Sequence, residues 1–265
     1  MPHVEVEPGL SLYVQDVGDG PPVVLIAGFG LSHEVWDDQV RVLGERHRVL
    51  CVDLRGTGRS DKPLGDYAIE RLAADIEVVL ERLELQDVAV VGWSFGGQVA
   101  FRLAACAPQR LSRLVLVGSN AVRASRSEEF PFGAPADALE PDLVRGEIER
   151  RFESRRATLR LGFYREPNPH LLDWLLRCQL QMPSWAAVAC YRSYLRTDLT
   201  HHLRDVTLPV VQIIGAQDPV TRPDGARWLQ QRLADARVVE LSECGHYPLF
   251  EAREQFNDVL ASAIR

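Results

Sequence analysis

Asp87-Val-Ala-Val-Val-Gly92-Trp93-Ser94-Phe95-Gly96-Gly97 is the stretch that decides how this chain is read. An apolar run, Val88 to Val91, ends at a glycine, and the segment from Phe95 to Ala107 then reads as a helix stopped by Pro108. A serine between the two, with glycines two residues to either side, is a G-x-S-x-G sequence in a strand–turn–helix context. The chemistry needs that context. A sharp turn projects the hydroxyl above a sheet, the glycines let neighbouring backbone come close, and the following helix start offers free N–H groups and a positive dipole end.

Working outward, short apolar strands alternate with amphipathic stretches. Strands are expected at Pro22–Gly28, His47–Asp53 and Leu114–Gly118, and a helix over Ile69–Leu83, where Leu72, Ile76, Val79, Leu80 and Leu83 fall at helical spacing. Pro8 to Gly20 closes an N-terminal hairpin in this reading. Continuous apolar runs fit strands buried on both faces of a parallel sheet. From about residue 121 to 206 the strand signals vanish. Glu140–Phe163 and Leu171–Leu195 read as helices, broken at Pro167-Asn168-Pro169. Alternation resumes with a strand at Pro209–Gly215, a helix at Asp224–Leu233, a strand at Arg237–Leu241 and a terminal helix at Glu254–Ile264. The expected organisation is an α/β core of residues 1–120 and 207–265, with residues 121–206 as a helical cap (lid) over the carboxyl end of the sheet, where ligands bind in open α/β folds.

A serine becomes a nucleophile only beside a base, and the base needs an orienter. Of seven histidines, only His246 follows a late strand in a glycine-containing loop, Cys244-Gly245-His246-Tyr247-Pro248. Asp218 ends the strand before it, in Gly215-Ala-Gln-Asp218-Pro219, and can hold the imidazole tautomer. Asp53, also at a strand end, is read as a loop anchor, with an acid role as the rival. His201-His202 does not read as a metal site, because neighbouring helical residues point apart and no third ligand stands at suitable spacing. Cys244 reads as a packed thiol.

The elbow Gly92–Gly97, the order Ser94, Asp218, His246 and the stretch Asp53-Leu-Arg-Gly-Thr-Gly-Arg-Ser-Asp61-Lys-Pro together resemble the α/β-hydrolase superfamily. The likeness spans essentially the whole chain and is closest in layout to small-capped serine esterases and the cofactor-free haloperoxidase branch. It implies an α/β fold with a mostly parallel eight-stranded sheet, flanking helices and an inserted helical cap. The turn Ala27-Gly28-Phe29-Gly30 is similar to the family's oxyanion loop, so the backbone N–H groups of Phe29 and Phe95 are the implied oxyanion donors. Ala27 stands where many members carry histidine, but the Phe29 donor is backbone and survives that change.

The implied chemistry is hydrolysis of a carboxylic ester, lactone or thioester through an acyl-serine, without cofactor or metal. Carbon–carbon bond hydrolysis and cofactor-free perhydrolysis or haloperoxidase activity share the same triad. A non-hydrolytic binding protein or cofactor-free cyclase on the same fold is the alternative of another class. Trp36, Trp93, Phe29 and Phe95 are expected to line an apolar acyl pocket, equally weighed against core packing, and Trp174 and Trp185 of the cap are further expected substrate contacts.

Composition narrows the partners. A net charge of −7 over 265 residues argues against nucleic-acid binding. No apolar run of about 18 residues suggests a membrane span, and no signal-peptide core opens the chain. The five cysteines form no C-x-x-C pair and read as reduced, mostly buried thiols of a cytoplasmic protein. The partner expected is a small ester-like molecule. Six cap arginines, Arg145, Arg150, Arg151, Arg155, Arg156 and Arg160, read as a solvated face paired with Glu147, Glu149 and Glu153. Docking of an anionic carrier protein or an anionic substrate there is the minor alternative.

Overall fold

A computed structural model describes residues 2–265. Eight strands form one sheet: β1 (His3–Glu7), β2 (Leu10–Val17), β3 (Pro22–Ile26), β4 (Arg48–Val52), β5 (Val88–Trp93), β6 (Leu111–Val117), β7 (Val210–Gly215) and β8 (Ala236–Leu241). Their spatial order is β1-β2-β4-β3-β5-β6-β7-β8. β1 and β2 make an antiparallel hairpin turning at Pro8-Gly9, and β2 runs antiparallel to β4. All later pairings are parallel. The hairpin is thus two full strands, whose alternating Val4, Val6, Leu10, Leu12 and Val14 are buried.

The central strands are largely apolar because both faces are covered. Val24, Ile26, Leu50, Val52, Val88, Val90, Leu114 and Leu116 face α2 (Ile69–Arg82) and α3 (Phe95–Cys106). Their alternates Val23, Leu25, Val49, Ala89, Val91, Val115 and Val117 face α1 (Asp37–Leu43) and, near the end of the chain, Phe256 and Leu260. Each fully buried valine or leucine contributes about 1.5–3 kcal/mol relative to exposure. A one-residue slip of any strand would exchange its faces, so the pattern also fixes register.

β3 and β5 are neighbours, but the chain visits β4 between them. The direction of winding therefore reverses at β3/β5, and a crevice opens beyond their carboxyl ends. β3 leads there into Ala27–Gly30 and β5 into Ser94.

Between β6 and β7 the chain is helical: α4 (Ala136–Glu149), α5 (Arg151–Leu161), α6 (Pro169–Gln179) and α7 (Ser184–Arg196). Both long helices expected from the sequence are broken. The first begins earlier and breaks at Arg150, whose backbone is non-helical at φ −143° and ψ 49°. The second breaks before Pro183, which cannot continue a helix. The Arg150 break has a physical cause in charge. Glu147 and Arg155 stand eight residues apart, roughly 12 Å along a straight helix. Across the bend they meet in a two-pronged ion pair, with Arg155 Nε 2.8 Å and Nη2 2.7 Å from the carboxylate. Both side chains are buried. Of the six arginines of this segment, Arg145, Arg150, Arg156 and Arg160 are exposed as expected, but Arg155 is buried and the carboxylate partners mostly differ from those expected. Arg155 is internal, Arg151 donates to the Leu180 and Met182 carbonyls, and Arg145, Arg156 and Arg160 pair with Asp142, Asp173 and Glu166. Of the expected acidic partners only Glu147 takes that role; Glu149 and Glu153 do not.

After β7 come α8 (Pro223–Gln230), then β8, a short α9 (Pro248–Glu251) and α10 (Arg253–Ala263). Among the described residues no helix is long and apolar enough to cross a membrane. The cysteines form no disulfide; Cys106 is exposed and the other four are buried.

The Glu147–Arg155 pair supplies a test. Arg155→Met should cost about 3–5 kcal/mol in urea unfolding, because it leaves the buried Glu147 carboxylate with only the longer contact to Arg151 Nε, 3.4 Å away. Adding Glu147→Leu should restore most of that loss. Equal stability of the single and double variants would show that the pair is not what holds the bend.

Candidate active site

Ser94 sits between β5 and α3 with φ 54° and ψ −115°, a region that costs about 1–3 kcal/mol. Its N–H donates to the Val117 carbonyl at 2.8 Å, and its carbonyl accepts from the Gly97 N–H and the Ser119 hydroxyl, each at 2.9 Å. The flanking glycines answer to close backbone approach. A Cβ on Gly92 would lie 2.4 Å from the Gly96 carbonyl oxygen, and one on Gly96 would lie 2.5 Å from that of Ala27.

His246 follows β8. Its N–H donates to the Gly162 carbonyl at 2.7 Å, and its carbonyl accepts from the Trp93 indole at 3.0 Å. On either side, the Gly245 and Tyr247 N–H groups donate to Glu251 Oε1, while Oε2 accepts from Tyr164. Burial pushes the Glu251 pKa up despite those three donors. Asp218 follows β7. Its Oδ1 accepts from the Val220 and Thr221 N–H groups at 2.8 Å each, which leaves Oδ2 for the imidazole. The row then closes: Ser94 Oγ lies 2.8 Å from His246 Nε2, and His246 Nδ1 lies 2.8 Å from Asp218 Oδ2. A proton on Nδ1, held by the carboxylate, leaves Nε2 as the acceptor for the serine O–H.

Ser94, His246, Phe29 and Trp93 border a cavity of about 750 Å³, whose walls come from both the sheet top and the helical segment. Phe29 and Phe95 flank Ser94 with their rings edge-on, 6.0 Å apart. Among the described residues neither backbone N–H has a hydrogen-bond acceptor, so both remain available to a bound oxyanion. The Phe29 loop is tied to the helical segment instead of to a histidine at position 27. Its carbonyl accepts from Gln179 Nε2 at 3.1 Å, and its ring stacks on Tyr191 at 4.1 Å.

Other expectations resolve differently. Trp93 borders the cavity, but Trp36 is fully buried behind it, edge-on at 6.2 Å. Trp174 packs against Phe250, and Trp185 is 49% exposed on α7. Trp36, Trp174 and Trp185 therefore do not line the pocket; packing and solvent claim them. Asp53 bonds to His33, with Nδ1 3.0 Å away, and accepts the Arg59 N–H, which makes it a loop anchor. His202 pairs with Asp205. Burial pushes the Cys244 thiol up to about 12, so it stays neutral. Sequence reasoning missed Tyr194, which packs on Phe95 and turns its phenol toward Ser94. It also missed Gln179, Tyr191, Ser119 and Glu251. None carries a local motif, although Ser119 directly follows the β6 strand signal.

Residues 21–253 match the family profile described as the alpha/beta hydrolase fold. The chain belongs to the α/β-hydrolase family. It is 36% identical over 252 residues to a pimeloyl-[acyl-carrier protein] methyl ester esterase of Nitrosomonas europaea, covering 93% of this chain and 96% of that protein. Among solved structures, an esterase from Exiguobacterium antarcticum superposes with a TM-score of 0.95 at 26% identity, over 99% of this chain and 98% of that one. A bromoperoxidase from Bacillus anthracis gives 0.94 at 25%, with the same coverage. Within this α/β-hydrolase the Phe29 loop is held by a side chain of the helical segment. Gln179→Leu should therefore speed amide hydrogen exchange at Leu31, whose N–H closes that loop on the Gly28 carbonyl, by about 3- to 10-fold, the worth of one net hydrogen bond. Unchanged exchange there would mean that stacking on Tyr191 alone fixes the loop.

Proposed function

We propose that the protein hydrolyses a carboxylic ester, lactone or thioester through an acyl-Ser94 intermediate. The observation that carries this reading is the continuous row Ser94 Oγ–His246–Asp218, with both links at 2.8 Å, beside a cavity large enough for a small molecule. His246 Nε2 takes the proton as Ser94 Oγ attacks the carbonyl. Asp218 stabilises the imidazolium, and the Phe29 and Phe95 N–H groups receive the oxyanion, each contributing roughly 3 kcal/mol at the transition state. The imidazolium then gives its proton to the leaving group. Water, deprotonated by the same nitrogen, releases the acid.

In this reading residues 121–206 act as the lid of a core made by 1–120 and 207–265, and they shape the pocket without supplying the triad. The names of the relatives support ester chemistry. A small-molecule ester fits better than docking of a carrier protein on the cap arginines, because Arg145, Arg156 and Arg160 are already neutralised by carboxylates and Arg155 is internal.

Ser94→Ala should lower turnover of a short-chain ester by about 10⁴-fold or more with the fold unchanged. Wild-type protein should be labelled at Ser94 by an alkyl phosphonate. Substantial turnover in purified Ser94→Ala would sink the serine assignment. Asp218→Asn should cost about 10⁴-fold in kcat by disturbing the imidazole tautomer, whereas Asp53→Asn should act mainly on stability. A larger kcat loss for Asp53→Asn would transfer the acid role to that residue.

A further inference from the structure

Among the described residues, Gln98 is a polar side chain in the cavity wall with both of its polar atoms buried and unpartnered. It lies one helical turn beyond Ser94 on α3, and residues four apart on a helix share a face, with Cβ atoms about 5–6 Å apart. It is 1% exposed and borders the same cavity. Among the described residues, neither its Nε2 nor its Oε1 has a hydrogen-bond partner. Each such orphan costs about 1–3 kcal/mol, at a position where Val99, Ala100, Phe101 and Leu103 around it are apolar. Leucine would fill this place without that penalty. A polar group that enters the cavity would remove it.

Charge makes the second, independent observation. The charged side chains bordering the cavity are Arg123, Arg126, Arg222 and Asp224, an excess of cations in a chain whose net charge is −7. Asp224 is engaged by Arg227, and Arg123 by Asp198. Among the described residues Arg126 and Arg222 have no carboxylate partner. They come from different segments, one after β6 and one after β7. Arg222 is also the N-cap residue of α8, so a helix start adds its positive end on that side.

We propose that Gln98, Arg126 and Arg222 form a subsite for a free carboxylate, so that the substrate is an ester that carries a second, ionised carboxyl group. Gln98 Nε2 donates to an oxygen of that carboxylate, and the two arginines bordering the same cavity attract and hold the anion. Guanidinium groups suit carboxylates because they present paired donors. The inference rests on the ester-hydrolase reading of Ser94 and deepens it by naming the substrate class.

Two matched pairs of esters test it and show which arm carries the charge: monomethyl adipate against methyl hexanoate, and 4-acetoxybutyrate against butyl acetate. In at least one pair the wild type should prefer the anion by about tenfold or more in kcat/KM at low salt, and the preference should shrink as salt is added. Gln98→Leu and the double variant Arg126→Ala/Arg222→Ala should each lower the anion-to-neutral ratio by about tenfold. That ratio is taken on a single sample, so partial misfolding cancels from it. Hydrolysis of the neutral esters with no preference in either pair, or a preference that neither variant lowers, overturns the subsite and leaves the ester reading standing. Failure of the wild type on all four esters overturns the ester reading and the subsite with it.

Discussion

The backbone of Ser94 stands at φ 54° and ψ −115°, and the surrounding structure is arranged to keep it there. On the β5 side, its N–H is taken by Val117 of the neighbouring strand. On the α3 side, its carbonyl is taken by Gly97 and by the Ser119 hydroxyl at the end of the same neighbouring strand. The turn can be this tight only because Gly92 and Gly96 lack Cβ atoms that would meet backbone oxygens. Strain of this kind persists where the packing over-determines it. Here two parallel strands, apolar where they approach the turn, and a largely buried helix do so. The sheet core thus positions the hydroxyl as well as stabilising the fold, because loosening β5 or β6 would let it swing away from His246.

The helical segment is joined to this elbow by a chain of specific contacts. Glu147 fixes Arg155 across the α4–α5 bend, and Arg155 also binds the Gln179 carbonyl at the end of α6. The Gln179 side chain then holds the Phe29 carbonyl. A buried ion pair contributes little net stability, but it can fix one arrangement out of several. Here the arrangement it fixes is the distance between α6 and the Phe29 loop. At the other end of the segment, the Gly162 carbonyl takes the His246 N–H. The segment therefore touches both the Phe29 loop and the His246 backbone, although its sequence contains neither.

The parallel strands and the residues of the Ser94–His246–Asp218 row were legible because their signals are local. Apolar runs mark strands buried on both faces, and a glycine-flanked serine between strand and helix marks the turn. The breaks at Arg150 and Pro183, the burial of Arg155 and the placement of the tryptophans were not legible. Each depends on what lies opposite in space. A basic run such as Arg150 to Arg160 looks solvated until a bend brings Glu147 to Arg155. An indole looks like a pocket wall until Phe250 or Trp93 is found beside it. Gln98 shows the intermediate case, since a polar residue among the apolar residues of α3 is visible in the sequence while its lack of a partner is not.

The choice between the two strand-end aspartates shows where topology must complete the sequence. Asp53 follows β4 and Asp218 follows β7, and each of these strands is separated from β5 by a single strand. Distance from the serine therefore does not rank them. The histidine does. His246 follows β8, and β8 pairs with β7 at the edge away from β4, so its loop reaches Ser94 from the Asp218 side. Asp53, on the other flank, is consumed by His33 and the Arg59 N–H. Asp218 has one oxygen fixed by two backbone N–H groups and the other left to the imidazole. Both carboxylates are buried and hydrogen-bonded, so burial alone does not separate an orienter from an anchor. Strand order separates them, because it decides which loop each carboxylate can reach.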